Sequence, residues 1–189
     1  MPTQQATPTP RKSLTVHIKI LTQPHGPTLL QRFGALSKVY DTAGIDVLQG
    51  TLETLQHVAA LNDLDIGGHG IGEPACEGEI TFEQERLAEH RDNIPDGDIV
   101  VYICRSMTNA NVGCANHPED KPMAAITATS PLYTMAHEVA HVLGINGHPK
   151  KLDKTRLMNS VATAFTENDL PPILTKSEIK KLRSSPLLK

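Results

Sequence analysis

Apolar and polar positions alternate strictly at the start of the ordered-looking chain: Leu14, Val16, Ile18 and Ile20 are separated by Thr15, His17 and Lys19. A period of two predicts a half-buried strand. After the turn signal Pro24-His25-Gly26-Pro27 the period changes, with Leu29, Phe33, Leu36, Tyr40 and Ala43 at helical spacing. This predicts an amphipathic helix over Thr28 to Ala43, ended by Gly44, and an extended segment over Ile45 to Leu55. Asn62 to Gly78 holds Gly67, Gly68, Gly70, Gly72 and Gly78 and reads as a long exposed loop. A short helix is expected over Glu83 to His90. The continuous apolar run ending at Cys104, which begins after Asp98, suits a central strand. Pro122 to Thr129, small-residue-rich with proline at its start, reads as a weaker strand at a sheet edge.

A third helix is announced by Ser130-Pro131, an N-cap followed by proline at the first helical position. Its apolar stripe is Leu132, Met135, Ala136, Val139, Val142 and Leu143. Gly144 stands where a left-handed residue would end it, and Gly147 lets the chain turn again. At the other end of the chain, Thr175 and Glu178 form a capping box with Leu174 and Ile179 at staple positions, so a last helix is expected before Pro186. Between the two helices, Val161 to Pro172 is irregular.

The helix announced by Ser130-Pro131 carries the chemistry. His137-Glu138-Val139-Ala140-His141 places two imidazoles one turn apart on one face, where both reach one metal ion. Glu138 then lies beside the open coordination position, as a general base for a metal-activated water. The turn at Gly147 brings His148 back as the third ligand. Asp153 is the next alternative, with Glu167 and Asp169 behind it, since carboxylates are acceptable zinc oxygens. Tyr133, one turn before His137, is a packing residue or a contact to substrate. His17, His25, His57, His69, His90 and His117 have no paired spacing and are read as ordinary surface or core histidines.

Composition narrows the partners. At 189 residues and 39% hydrophobic content the chain supports one core, divided at most by a cleft. A net charge of -3, no tryptophan and three each of Phe and Tyr argue against nucleic acid. No run approaches the length of a membrane span. Met1 to Lys12, rich in Thr, Pro and Gln, reads as a disordered leader and lacks the apolar core of a signal peptide. The glycine-rich loop lacks the lysine and following helix of a phosphate-binding loop. Three cysteines, Cys76, Cys104 and Cys114, allow one disulfide plus a free thiol or three reduced thiols. A thiol could also cap the metal in a latent form, with Cys76 the freest candidate.

Taken together, His137, Glu138, His141 and Gly144, followed by Met158 within Leu157-Met158-Asn159-Ser160 and by a terminal helix, resemble the metzincin clan of zinc metalloendopeptidases. In that clan HExxHxxGxxH precedes a methionine-containing turn beneath the metal. The resemblance spans most of Leu14 to Leu188, but only His137 to Met158 is specific. It departs in two places: position 147 is glycine and the histidine follows at His148, and Ser160 stands where some members carry a tyrosine. It implies an α+β zincin fold: a twisted mixed sheet with the active-site helix over residues 13–145, and a small C-terminal subdomain over 146–189. It also implies a Zn2+ cofactor and a polypeptide substrate lying extended in the cleft, with specificity from Asn159 to Pro172. A secreted protease or a delivered effector or toxin protease fits this chemistry, with an inhibitor or immunity protein as a compatible partner. The competing expectations are a zinc-containing peptide-binding module without turnover and a zinc amidase acting on a non-protein amide.

Overall fold

The computed structural model describes residues 10–55, 58–68, 75–151, 153–159 and 170–189; the expected leader up to residue 9 and residues 160–169 lie outside them. Strand β1 (Lys12–Ile20) is followed by helix α1 (Leu29–Asp41) and strand β2 (Ile45–Thr54). Thr28 caps α1 in a full capping box with Gln31, and Gly44, at φ +68°, turns the chain out of the helix. Next come β3 (Asp63–Leu64), α2 (Phe82–Glu89), β4 (Ile99–Cys104), β5 (Ser106–Met107), β6 (Gly113–Cys114) and β7 (Met123–Thr127). Helices α3 (Thr134–Val142) and α4 (Lys176–Arg183) complete the described elements.

Five strands form one sheet in the order β2-β1-β4-β7-β6. The first four are parallel, and β6 runs antiparallel to β7. Strand β4 is central, as its apolar run predicts, and its two faces feed two cores. Ile99, Val101 and Ile103 join the cluster built by α1 and α3, whereas Val100, Tyr102 and Cys104 join the cluster built around Leu87 and Ala88 of α2. That division is the period-two geometry of a strand covered on both faces.

Three expectations need correction. Strand β7 is interior to the sheet, not at its edge, and all five of its residues are buried. Its small residues serve close approach, with Ala124 packed in the α3 cluster and Ala125 in the opposite one. The edge is instead β6, two residues long. Secondly, the glycine-rich stretch is not simply an exposed loop: Asp63–Leu64 pairs with Ser106–Met107, Ile66 is buried, and Cys76 is bonded to Cys114. The third concerns the start of α3, at Thr134 and not at Pro131. Ser130 does not cap it, because its hydroxyl accepts from the buried Arg32 guanidinium while its N–H closes a turn onto the Thr127 carbonyl at 3.1 Å.

The C-terminal part shares the first core. Leu157, Met158, Leu174, Leu182 and Leu188 are buried with β1, α1 and α3. Helix α4 has the predicted Thr175–Glu178 capping box. At the chain end, Lys189 and Ser13 exchange backbone hydrogen bonds of 3.0 and 2.9 Å. None of the described helices is long and apolar enough to cross a membrane.

Candidate metal centre

Helix α3 is fixed from both sides. The Tyr40 hydroxyl on α1 donates to the Ala136 carbonyl at 3.1 Å, and burial raises the Tyr40 pKa well above its ordinary value, keeping it a donor. At its C-terminus, Gly144 takes φ +104°, its N–H donates to the His141 carbonyl at 2.8 Å, and the Ile145 N–H donates to Ala140 at 3.0 Å. These two bonds are the Schellman arrangement, which closes the helix and sends the chain back toward its own face. Gly147, at φ +70°, makes the second turn that the sequence anticipates.

The outcome is convergence. Nε2 of His137 lies 3.1 Å from Nε2 of His141 and 3.1 Å from that of His148, and the last two are 3.2 Å apart. Nitrogens bound tetrahedrally at about 2.0–2.1 Å from one zinc ion lie about 3.3 Å from each other, so the trio has the dimensions of a zinc site. The other ring nitrogens decide the tautomers. Nδ1 of His137 contacts the Leu157 carbonyl at 2.7 Å, and Nδ1 of His141 contacts the Ile145 carbonyl at 2.6 Å. A carbonyl only accepts, so both Nδ1 atoms carry the proton and both Nε2 atoms present lone pairs. Burial, reinforced by the neighbouring imidazoles and opposed by the Leu157 carbonyl, holds His137 down at about 4, which disfavours the doubly protonated ring. Burial also lowers His141 and His148, against the nearby Glu77 carboxylate, which raises both. Two neutral imidazoles aiming lone pairs at one point 3.1 Å apart repel unless a cation lies between them; these residues fit a metal.

Among the described residues, His137, His141 and His148 are the group of three possible ligands that converges in this way. Asp153 is turned to a local task, accepting from the Thr155 N–H at 3.0 Å and hydroxyl at 2.6 Å. Glu167, Asp169 and Ser160 lie outside the described residues. Met158 is fully buried in the main core beneath the segment whose Leu157 carbonyl orients His137. Tyr133 is mostly packed, and its carbonyl accepts the His137 N–H at 3.0 Å.

Glu138 is buried in the wall of the cleft. It is 8% exposed, borders the same cleft of about 660 Å³ as the three histidines, and burial pushes its carboxyl up to about 8. The cleft rim opposite α3 is β6 with the strap Ala75–Gly78, joined by the Cys76–Cys114 disulfide. Cys76 is therefore not a thiol available to cap a metal, and the remaining thiol, Cys104, is buried and pushed up to about 12. Of the two cysteine states the sequence allows, the structure has one disulfide plus a free thiol; motif reading missed Gly113 and Glu77 on this rim, since neither lies near the histidines in sequence.

No family model and no curated protein matches the sequence. Solved structures do match the fold. Metalloproteinase-II from Bacteroides fragilis superposes with a TM-score of 0.59 at 15% identity over 93% of this chain and 54% of that one. Archaemetzincin from Methanopyrus kandleri gives 0.55 at 13% identity, over 91% and 94%. A chaperone–substrate complex gives 0.52 at 13% identity, over 91% of this chain and 33% of that one. The chain thus spans about half the length of the Bacteroides protein and nearly all of the archaeal one. At these identities what is shared is the fold, a mixed α/β architecture on a mostly parallel sheet of the kind found in metalloproteinases.

Proposed function

We propose that this chain is a zinc-dependent endopeptidase in which His137, His141 and His148 hold the metal and Glu138 handles the proton. The observation that carries the reading is the convergence of three Nε2 lone pairs at 3.1–3.2 Å, two of them locked by backbone carbonyls, beside a buried carboxyl. When bound, zinc supplies Lewis acidity for the scissile carbonyl and for water. Glu138 then accepts a proton at a carboxylate oxygen as water attacks and delivers it to the departing amine. Its raised proton affinity suits that second transfer, and a cation held by the neighbouring imidazoles brings it toward neutrality. A purely structural zinc site has four protein ligands and needs no such carboxyl, so the histidine trio with Glu138 favours turnover over a binding module.

The substrate is a polypeptide lying extended across the cleft, against the β6 rim. Asn159 and Pro172 border that cleft and belong to the segment from which specificity is expected. The Cys76–Cys114 disulfide supports an oxidising place of work, and with it the reading of a secreted or delivered protease.

The test is incubation of the zinc-loaded chain with an unfolded protein and a peptide library, followed by mass spectrometry, with a chelated control. Internal cuts that vanish on chelation and return with zinc are expected. Tight peptide binding without fragments would leave the binding-module reading standing, and release of amines only from non-protein amides would leave the amidase.

A further inference from the structure

Gly113, Gly144 and Gly147 shape the candidate centre, and they are there for two different reasons. Gly144 and Gly147 have φ of +104° and +70° with nothing within 4 Å of the place a Cβ would take, so they are required for conformation. Gly113 is the reverse. Its φ is not in the left-handed region, and it sits in a paired strand opposite Ile126, a backbone that any residue adopts. A Cβ there would lie 2.2 Å from Oε1 of Glu138, 2.6 Å from its Cδ and 2.7 Å from its Cγ.

We propose that Gly113 is a positioning residue for Glu138: the edge strand omits a side chain at this one point so that the carboxyl is seated directly against its backbone. The inference rests on the peptidase reading for its catalytic consequence, though not for the contact itself. Because the Cγ as well as the carboxylate lies too close, turning the carboxylate about its last bond cannot make room for a methyl group; the side chain must change its earlier torsions. The strand cannot retreat instead. It is tied to β7 at Gly113 and Cys114, the Val112 carbonyl accepts the Thr127 N–H at 3.0 Å, and Cys114 is bonded to Cys76. Glu138 is the member that yields, by turning away from the strand toward the cleft it borders. Its carboxyl would leave the position beside the histidines while the histidines, held by Leu157 and Ile145, stay where they are.

Gly113→Ala, compared with the unsubstituted protein at matched zinc content, tests this. The expected result is unchanged zinc stoichiometry, a kcat lower by about a hundredfold or more, and a KM within a few-fold, since a misplacement of about 1 Å costs that much. A merely structural glycine would not give the second signature: Gly113→Ala should lower Tm by about 4 °C or more in the parent and by much less in a Glu138→Ala background, where the clash is gone. Should Gly113→Ala fail to fold, the Gly113→Ala/Glu138→Ala double variant should fold. Equal Tm losses in both backgrounds, a kcat within twofold of the parent, or failure of the double variant to fold would overturn the proposal. If the parent cuts no peptide, the peptidase reading fails, and the Tm comparison still decides whether Gly113 seats Glu138.

Discussion

Arg32→Met is the substitution whose cost the structure lets one work out most fully. The Arg32 guanidinium is completely buried, and among the described residues no carboxylate is a hydrogen-bond partner of it. Nε donates to the Pro27 carbonyl at 3.0 Å. Nη1 donates to the Thr127 carbonyl at 3.1 Å and to the Ser130 hydroxyl, and Nη2 to the carbonyls of Ala128 at 2.7 Å and His25 at 3.4 Å. Summing charge-assisted bonds at about 1.5–3 kcal/mol each would overstate the loss, because the buried cation itself was costly to desolvate. The groups left behind decide the net. The Thr127 and Ala128 carbonyls keep second donors, Ser130 N–H at 3.1 Å and His25 N–H at 2.8 Å, whereas the Pro27 carbonyl and the Ser130 hydroxyl each lose a buried partner. At about 1–3 kcal/mol per abandoned group the expected destabilisation is about 3 kcal/mol. Urea denaturation reads it as a lower midpoint at an unchanged slope. Arg32→Lys should recover little, since an ammonium cannot fork across carbonyls on two segments. A loss below about 1 kcal/mol, or a lysine variant as stable as the parent, would show that these bonds do not hold the corner. The bonds also fix the corner between β7 and α3, so zinc affinity should fall with stability.

Removing the Cys76–Cys114 bond by paired serine substitution opens a closed loop with a sequence separation of 38, for which chain entropy predicts a loss of about 4 kcal/mol, read by thermal or urea unfolding. In metal-free protein, stability should fall as pH rises from about 6.5 to 8. There the folded state keeps the Glu138 proton, held to about 8, while the unfolded chain has lost it, and the histidines no longer oppose the trend. Across that window the effect is about 2 kcal/mol, and Glu138→Gln should flatten it; an unchanged slope in that variant would show that other groups titrate. His148→Ala should abolish tight zinc binding while Asp153→Ala leaves it intact, as measured by metal analysis after dialysis; the opposite pattern would move the third ligand to Asp153.

The candidate site was legible because its parts are local. Two of the converging histidines and a carboxyl fall within five residues of one helix, and the two glycines that bring the chain round to His148 follow at once. The start of α4 was legible for the same reason, through the Thr175–Glu178 box. What escaped depends on distant partners. Ser130 reads as a cap until Arg32, on another helix, claims its hydroxyl. Strand β7 reads as an edge because its residues are small, although that smallness is what lets α3 lie close upon it. Strand β6 has no pattern of its own at two residues, and Gly113 becomes meaningful only when Glu138 is found against it. The pairing of Cys76 with Cys114, leaving Cys104 buried, follows from the same unseen strand.

On the proposed reading the histidine trio and Glu138 together cleave peptide bonds. What tests this without intermediaries is the rate of cleavage of an unfolded protein by the parent and by Glu138→Gln, each loaded with one equivalent of zinc. Equal zinc content and a rate lower by at least about a hundredfold in the variant are expected. Equal rates, or no cleavage by the zinc-loaded parent, would contradict it.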